Sequence, residues 1–171
     1  MSRMMIFGAT GALGQHVLRA AIAANHEVTA FVRTPSKLPA DLRGRLQVET
    51  GDLEAEAPLH LMGAQDALIN CAGNVADGER FVRLVDRIVT AVESMPAAAR
   101  PVCWFLGGAA LLDIDASGRR GIDLPKIRST YWPHRANYER LRRSAVDWRL
   151  LCPGPMVGAC AALLHRDLGD R

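Results

Sequence analysis

No basic run interleaved with aromatic residues occurs anywhere in this sequence, and the net charge is only +3. That combination argues against a nucleic-acid partner. No apolar stretch is long enough to cross a bilayer, and the N-terminus has no signal-peptide pattern. The expectation is a cytoplasmic protein without a membrane partner. The four cysteines, Cys71, Cys103, Cys152 and Cys160, are widely separated. No CxxC or mixed Cys/His spacing is present, so no metal site is expected. Free thiols in a reducing compartment are the simple reading. Internal repeats and low-complexity linkers are also missing. The 171 residues, 49% hydrophobic and 23% charged, suit one domain over residues 1–171 with a single well-buried core.

Short apolar strands alternate with helical patterns along the chain. Strands are expected at residues 4–7, 27–32, 46–50, 66–70, 102–106 and 147–152. Helices are expected at 13–24 and 135–144. Phe81, Leu84, Val85, Ile88, Val89 and Val92 recur at helical spacing and mark a long amphipathic helix. In the polar helix at 135–144, Glu139 can pair with Arg135 or Arg143. Residues 107–130 form the longest irregular stretch, of the kind that is usually functional. The alternation predicts an α/β fold with a doubly wound parallel sheet. Ligands of such sheets bind beyond the carboxyl ends of the strands.

Gly8-Ala9-Thr10-Gly11-Ala12-Leu13-Gly14 joins the first strand to the first helix. Strand, glycine turn and helix in that order suit a dinucleotide. Glycines let the backbone approach a pyrophosphate, whose charge meets the free N–H groups of the helix. Strand two ends at Arg33, with Lys37 close behind, where an acid commonly holds the ribose hydroxyls of NAD. A planar guanidinium matches a 2′-phosphate, which favours NADP, with NAD as the other possibility. Asp52, beside Leu53, could accept from an adenine amino group or cap the next helix. Cys71-Ala72-Gly73 is small enough for ribose and phosphates to lie against its backbone, and could equally be a plain turn. Gly107-Gly108 offers N–H groups and space beside a nicotinamide, but no hydroxyl. The expected dinucleotide-binding set is Gly8, Thr10, Gly11, Ala12, Leu13, Gly14, Arg33, Lys37, Asp52, Leu53, Cys71, Ala72, Gly73, Gly107 and Gly108.

These segments together resemble the atypical short-chain dehydrogenase/reductase superfamily. Leu106-Gly107-Gly108-Ala109-Ala110-Leu111 and Asp147-Trp148-Arg149-Leu150-Leu151-Cys152-Pro153 are most similar to its NADH-flavin reductase group, kin to biliverdin-IXβ reductase and the NmrA-like regulators. The resemblance covers most of the chain and implies a Rossmann fold. The superfamily's usual catalytic set is a Ser after strand five and a YxxxK. Here glycines replace the Ser, and Tyr131 with Arg135 gives YxxxR, in which the arginine stays protonated. Pro133 between them places Tyr131 ahead of the helix. The group carries a His near this helix start, and His134 matches it, either donating a proton or lining a flavin pocket. His134 and Tyr131 are therefore the candidate catalytic residues. The implied function is an NAD(P)H-dependent oxidoreductase reducing flavin, as substrate, or a similar flat acceptor. The alternatives are a non-catalytic NADP-binding sensor of the NmrA type and an epimerase- or dehydratase-like enzyme. The C-terminus is short, because relatives usually add a strand and a covering segment. The partner is a small-molecule substrate, and the assembly a monomer or homodimer.

Overall fold

The computed structural model describes residues 1–154. Its sheet has six parallel strands: β1 (Arg3–Phe7), β2 (Glu27–Val32), β3 (Gln47–Thr50), β4 (Ala67–Asn70), β5 (Val102–Leu106) and β6 (Trp148–Leu151). They lie in the order β3-β2-β1-β4-β5-β6. The helices are α1 (Ala12–Ala23), α2 (Leu59–Met62), α3 (Gly78–Glu93) and α4 (Pro125–Arg142). The doubly wound fold read from the sequence is the fold observed.

Central strand β1 runs Met5-Ile6-Phe7 with all three side chains buried, as a parallel strand covered on both faces requires. It pairs with β2 through Met5↔Thr29 and with β4 through Met5↔Leu68. Alternation splits its side chains between two cores. Met5 and Phe7 join Val85, Ile88 and Val89 of α3, while Ile6 joins Leu18 and Ile22 of α1. The apolar stripe of α3 faces its core as expected, and Asp77 caps its start by accepting from Arg80 N at 3.4 Å.

The largest departure from the sequence reading is α4. It begins at Pro125 rather than at residue 135, so the irregular segment shrinks to residues 107–124. Within that segment, 3₁₀ turns form at Ala109–Leu111 and Gly121–Asp123, and Asp113 bridges to Arg120. Proline at the first helical position suits a helix start. Pro133 lies in the helix interior and is buried. Losing one backbone hydrogen bond there costs about 3 kcal/mol, and packing offsets it. A Cβ on Gly78 would stand 2.7 Å from Pro133 Cγ and 2.7 Å from Trp132 Cζ2, so the bare first turn of α3 receives both rings. Glu139 pairs with Arg143, at 3.8 Å. The short C-terminal tail and Cys160 lie outside the described residues.

Candidate functional site

At the carboxyl ends of β1 to β4, where the order of connections reverses, lies a cavity of about 310 Å³. The glycine turn forms one wall. Gly8 has φ 73, in the left-handed region that favours glycine. A Cβ there would lie 2.6 Å from Ala72 N, in the turn after β4. Buried Asn70 fixes that turn by accepting from Ala72 N at 3.0 Å. Gly11 is the N-cap of α1 and donates its N–H to Gly8 O at 2.9 Å. No side chain caps α1, and its first turn holds no acid. The first-turn N–H groups and the positive end of the helix dipole are thus left for an anion.

Gly8, Thr10, Gly11, Arg33, Asp52 and Leu53 line this cavity, and so do Cys71, Ala72 and Gly73. Ala12, Leu13, Gly14 and Lys37 are not in its wall. Gly14 is a packing residue, since a Cβ would sit 2.1 Å from Gly8 O. Lys37 stands exposed in the 3₁₀ turn Pro35–Lys37. Asp52 borders the cavity and accepts from Glu54 N at 3.0 Å within a turn, and it does not cap the next helix, which starts at Leu59. Burial pushes the Cys71 thiol up to about 11, so it is protonated at neutral pH.

Several wall residues escaped the sequence reading. Phe31 lies over Gly51, where a Cβ would meet its ring at 2.4 Å. Arg80, in the first turn of α3, bonds Glu54 through Nε at 2.8 Å and Nη2 at 2.7 Å. Arg87 reaches Ala55 O at 2.9 Å. Together they tie the loop after β3 to α3. The apolar residues that mark this helix in the sequence start at Phe81, one position after Arg80. Among the described residues, Arg33 is the cavity cation without a carboxylate partner. A second hollow of about 430 Å³ lies near the opposite, amino ends of the strands. Its polar groups are largely committed: Arg3 pairs with Asp66 at 3.1 Å, and Thr29 bonds Gln47.

Gly107 and Gly108 follow β5, beside rather than within the cavity. A Cβ on Gly108 would lie 3.0 Å from His134 Cδ2 and 3.1 Å from Nε2. The imidazole therefore occupies the space that a hydroxyl-bearing side chain would need. Phe81 meets the ring edge-on at 5.5 Å, and Tyr131 stacks on it at 6.1 Å with 13° between planes. Tyr131 is not ahead of the helix, as Pro133 suggested, but inside α4 one turn from exposed Arg135. His134 is half-buried in mid-helix, and burial holds its pKa below the ordinary histidine value. The neutral imidazole is therefore the favoured form at pH 7.

That shift has a sign for stability. Unfolded His134 gains a proton below about pH 6.5, whereas the folded residue resists it. The stability is complete above that pH and declines as pH falls toward the lowered folded value. His134→Gln should flatten this acid slope in chemical-denaturation curves below about pH 6.5. An unchanged slope would show that other groups set it.

The family described as NAD(P)H-binding matches residues 8–158, a span that contains every residue lining the cavity except Phe7. The chain belongs to this NAD(P)H-binding family. Among its relatives, the uncharacterised protein YwnB of Bacillus subtilis (strain 168) is 29% identical over 154 residues, 86% of this chain and 70% of that protein. A candidate NADH-flavin reductase of Streptococcus pneumoniae TIGR4, SP1627, superposes with a TM-score of 0.74 at 20% identity, covering 90% of this chain and 72% of that one. The anaerobilin reductase ChuY of Escherichia coli O157:H7 gives 0.66 at 17% identity, covering 98% and 91%. At such identities the likeness of the two structures is a likeness of fold. No helix among the described residues is long and apolar enough to cross a membrane.

Proposed function

We propose that this member of the family is an NADPH-dependent reductase of a flat acceptor of the flavin class. The glycine turn of α1 suits the pyrophosphate, because Gly8 lets the turn after β4 close against it and Gly11 puts no side chain into the cavity that it lines. Arg33 is the group for a 2′-phosphate. A charge-assisted contact of this kind is worth about 1.5–3 kcal/mol. Arg33→Ala should therefore weaken NADPH binding about tenfold or more and leave NADH nearly untouched, as read by titration of both nucleotides. A parent that already prefers NADH would overturn this assignment.

When bound, the dinucleotide supplies the hydride. The chain's own part is orientation. The observation that carries the reading is the turn after β5: two glycines that offer no hydroxyl, with the His134 ring against Gly108 and the Tyr131 ring stacked on that of His134. Such a surface suits stacking, and it has no Ser hydroxyl for alcohol or ketone chemistry. Neutral His134, with Nε2 against Gly108, serves as a hydrogen-bond donor to the charge developing on the acceptor. Tyr131 contributes its ring. Tyr131→Phe should accordingly keep turnover close to the parent, because no Ser–Tyr–Lys system exists for its hydroxyl. The deciding experiment follows NADPH oxidation with FMN, FAD and quinones. Turnover with a flavin supports the reductase. NADPH binding without oxidation of any acceptor favours a dinucleotide-binding sensor, a reading that the hydroxyl-free turn also suits.

A further inference from the structure

The cavity wall after β3 receives little support from the sheet. Among the described residues β3 is an edge strand, only four residues long. Residues 51–58 follow it without strand or helix, and Asp52 and Leu53 of this loop line the cavity. Gly51 N–H donates to Val32 O at 3.1 Å and fixes where the loop begins. Asp52 then gathers the loop on itself. Its Oδ1 accepts from Glu54 N at 3.0 Å, and its carbonyl accepts from Ala55 N and Glu56 N, each at 3.0 Å. Those bonds shape the loop locally, but they do not fasten it to anything else.

Two arginines of α3 do. Arg80 holds Glu54 Oε2 through Nε at 2.8 Å and Nη2 at 2.7 Å. Arg87 donates Nη1 to Ala55 O at 2.9 Å. At i and i+7 they stand two turns apart on one face of the helix. Leu84 lies between them, buried in the same core as Leu53. At 33% and 32% exposure the Arg80–Glu54 pair is partly sheltered from water, where salt screens less than at an open surface.

We infer that Arg80 and Arg87 are positioning residues for the adenine half of the dinucleotide: they clamp the loop after β3 so that Asp52 and Leu53 stand in place before the ligand arrives. Under the proposed function the pyrophosphate takes the glycine turn and the 2′-phosphate takes Arg33, which leaves the adenine to this loop. The clamp rests on that placement and not on the identity of the acceptor. A loose loop has to be ordered by the ligand, and the ordering is subtracted from affinity. Direct contact with a phosphate is the rival role for Arg80, which lines the cavity. Its charge is already cancelled by Glu54, whereas Arg33 has no carboxylate partner among the described residues. Arg87 does not line the cavity, so its effect reads the clamp alone.

Calorimetric titration of the full chain with NADPH and NADH tests this, beside amide hydrogen exchange without ligand. Arg80→Ala and Glu54→Ala should each weaken both nucleotides by the same factor, about fivefold to tenfold. The double variant should bind no more weakly than either single one, because both substitutions remove one pair. Arg87→Ala should weaken both nucleotides in parallel. Exchange should quicken in residues 52–56 of all three single variants and stay as in the parent over residues 8–14. Thermal melts identify which variants fold, and any one of the three suffices. A phosphate contact predicts the opposite pattern. Arg80→Ala would then weaken NADPH alone, and Glu54→Ala would tighten NADPH by releasing the guanidinium. Either result would overturn the inference, as would parental affinity in a folded variant. A parent that binds neither nucleotide would overturn the clamp and the dinucleotide placement together. Tight binding without turnover counts against the reductase reading alone, and the clamp is then decided by the variants.

Discussion

Gly11→Val is expected to abolish dinucleotide binding with little change in melting temperature. The residue is the N-cap of α1 at φ −75, a conformation open to any L-residue. A Cβ there would meet one neighbour, Gly8 O at 3.3 Å, a tight contact that a small shift relieves. Glycine caps are better than valine caps, but the difference is about 1 kcal/mol or less. The side chain would instead project into the cavity wall that the pyrophosphate needs. Gly14→Val is the contrasting variant. Its Cβ would stand 2.1 Å from Gly8 O and 2.8 Å from Ala9 Cα. Backbone atoms on both sides leave nowhere to move, so this variant should lose the fold rather than the ligand alone. Calorimetric titration with NADPH, set beside thermal melts of both variants, separates the two effects. Undiminished affinity in Gly11→Val would show that the pyrophosphate lies elsewhere.

His134→Ala should reduce flavin-dependent NADPH oxidation by about 10²- to 10³-fold, the usual cost of removing one preorganised donor aimed at developing charge. The loss should fall on kcat, because His134 sits by the turn after β5 and away from the cavity that suits the adenine half. His134→Gln, which can place an N–H in nearly the same direction, should recover part of the rate. As the imidazole is neutral at pH 7, the rate should show no requirement for its protonated form across the neutral range. A large loss in Tyr131→Phe with none in His134→Ala would transfer the polar role to the tyrosine.

The sheet and its order of layers were readable because each strand is a short apolar run and α3 has a clean helical period. The glycine turn was readable for a stricter reason. Gly8 and Gly14 are demanded by backbone contacts, and such demands appear directly as residue type. Gly14 was misassigned to the ligand because a glycine that admits a ligand and a glycine that admits a neighbouring backbone look alike in a sequence. The start of α4 was hidden by Pro133, whose local preference opposes a helix interior. Only the tertiary contact with Gly78 reverses it, and Gly78 lies 55 residues earlier. Arg80 gave no signal at all, since an isolated arginine in a polar first turn resembles a solvated one until Glu54 is seen to hold it.

The crossing of three backbones at Gly8 has a thermodynamic consequence. The turn before α1, the turn after β4 and the first residues of α1 are held against each other at contact distance, so the anion-binding loop has one shape available to it. A ligand arriving there orders little that was not already ordered. Its association should lose little conformational entropy at the phosphates, and amide hydrogen exchange in residues 8–14 should change through direct shielding rather than through a disorder-to-order transition.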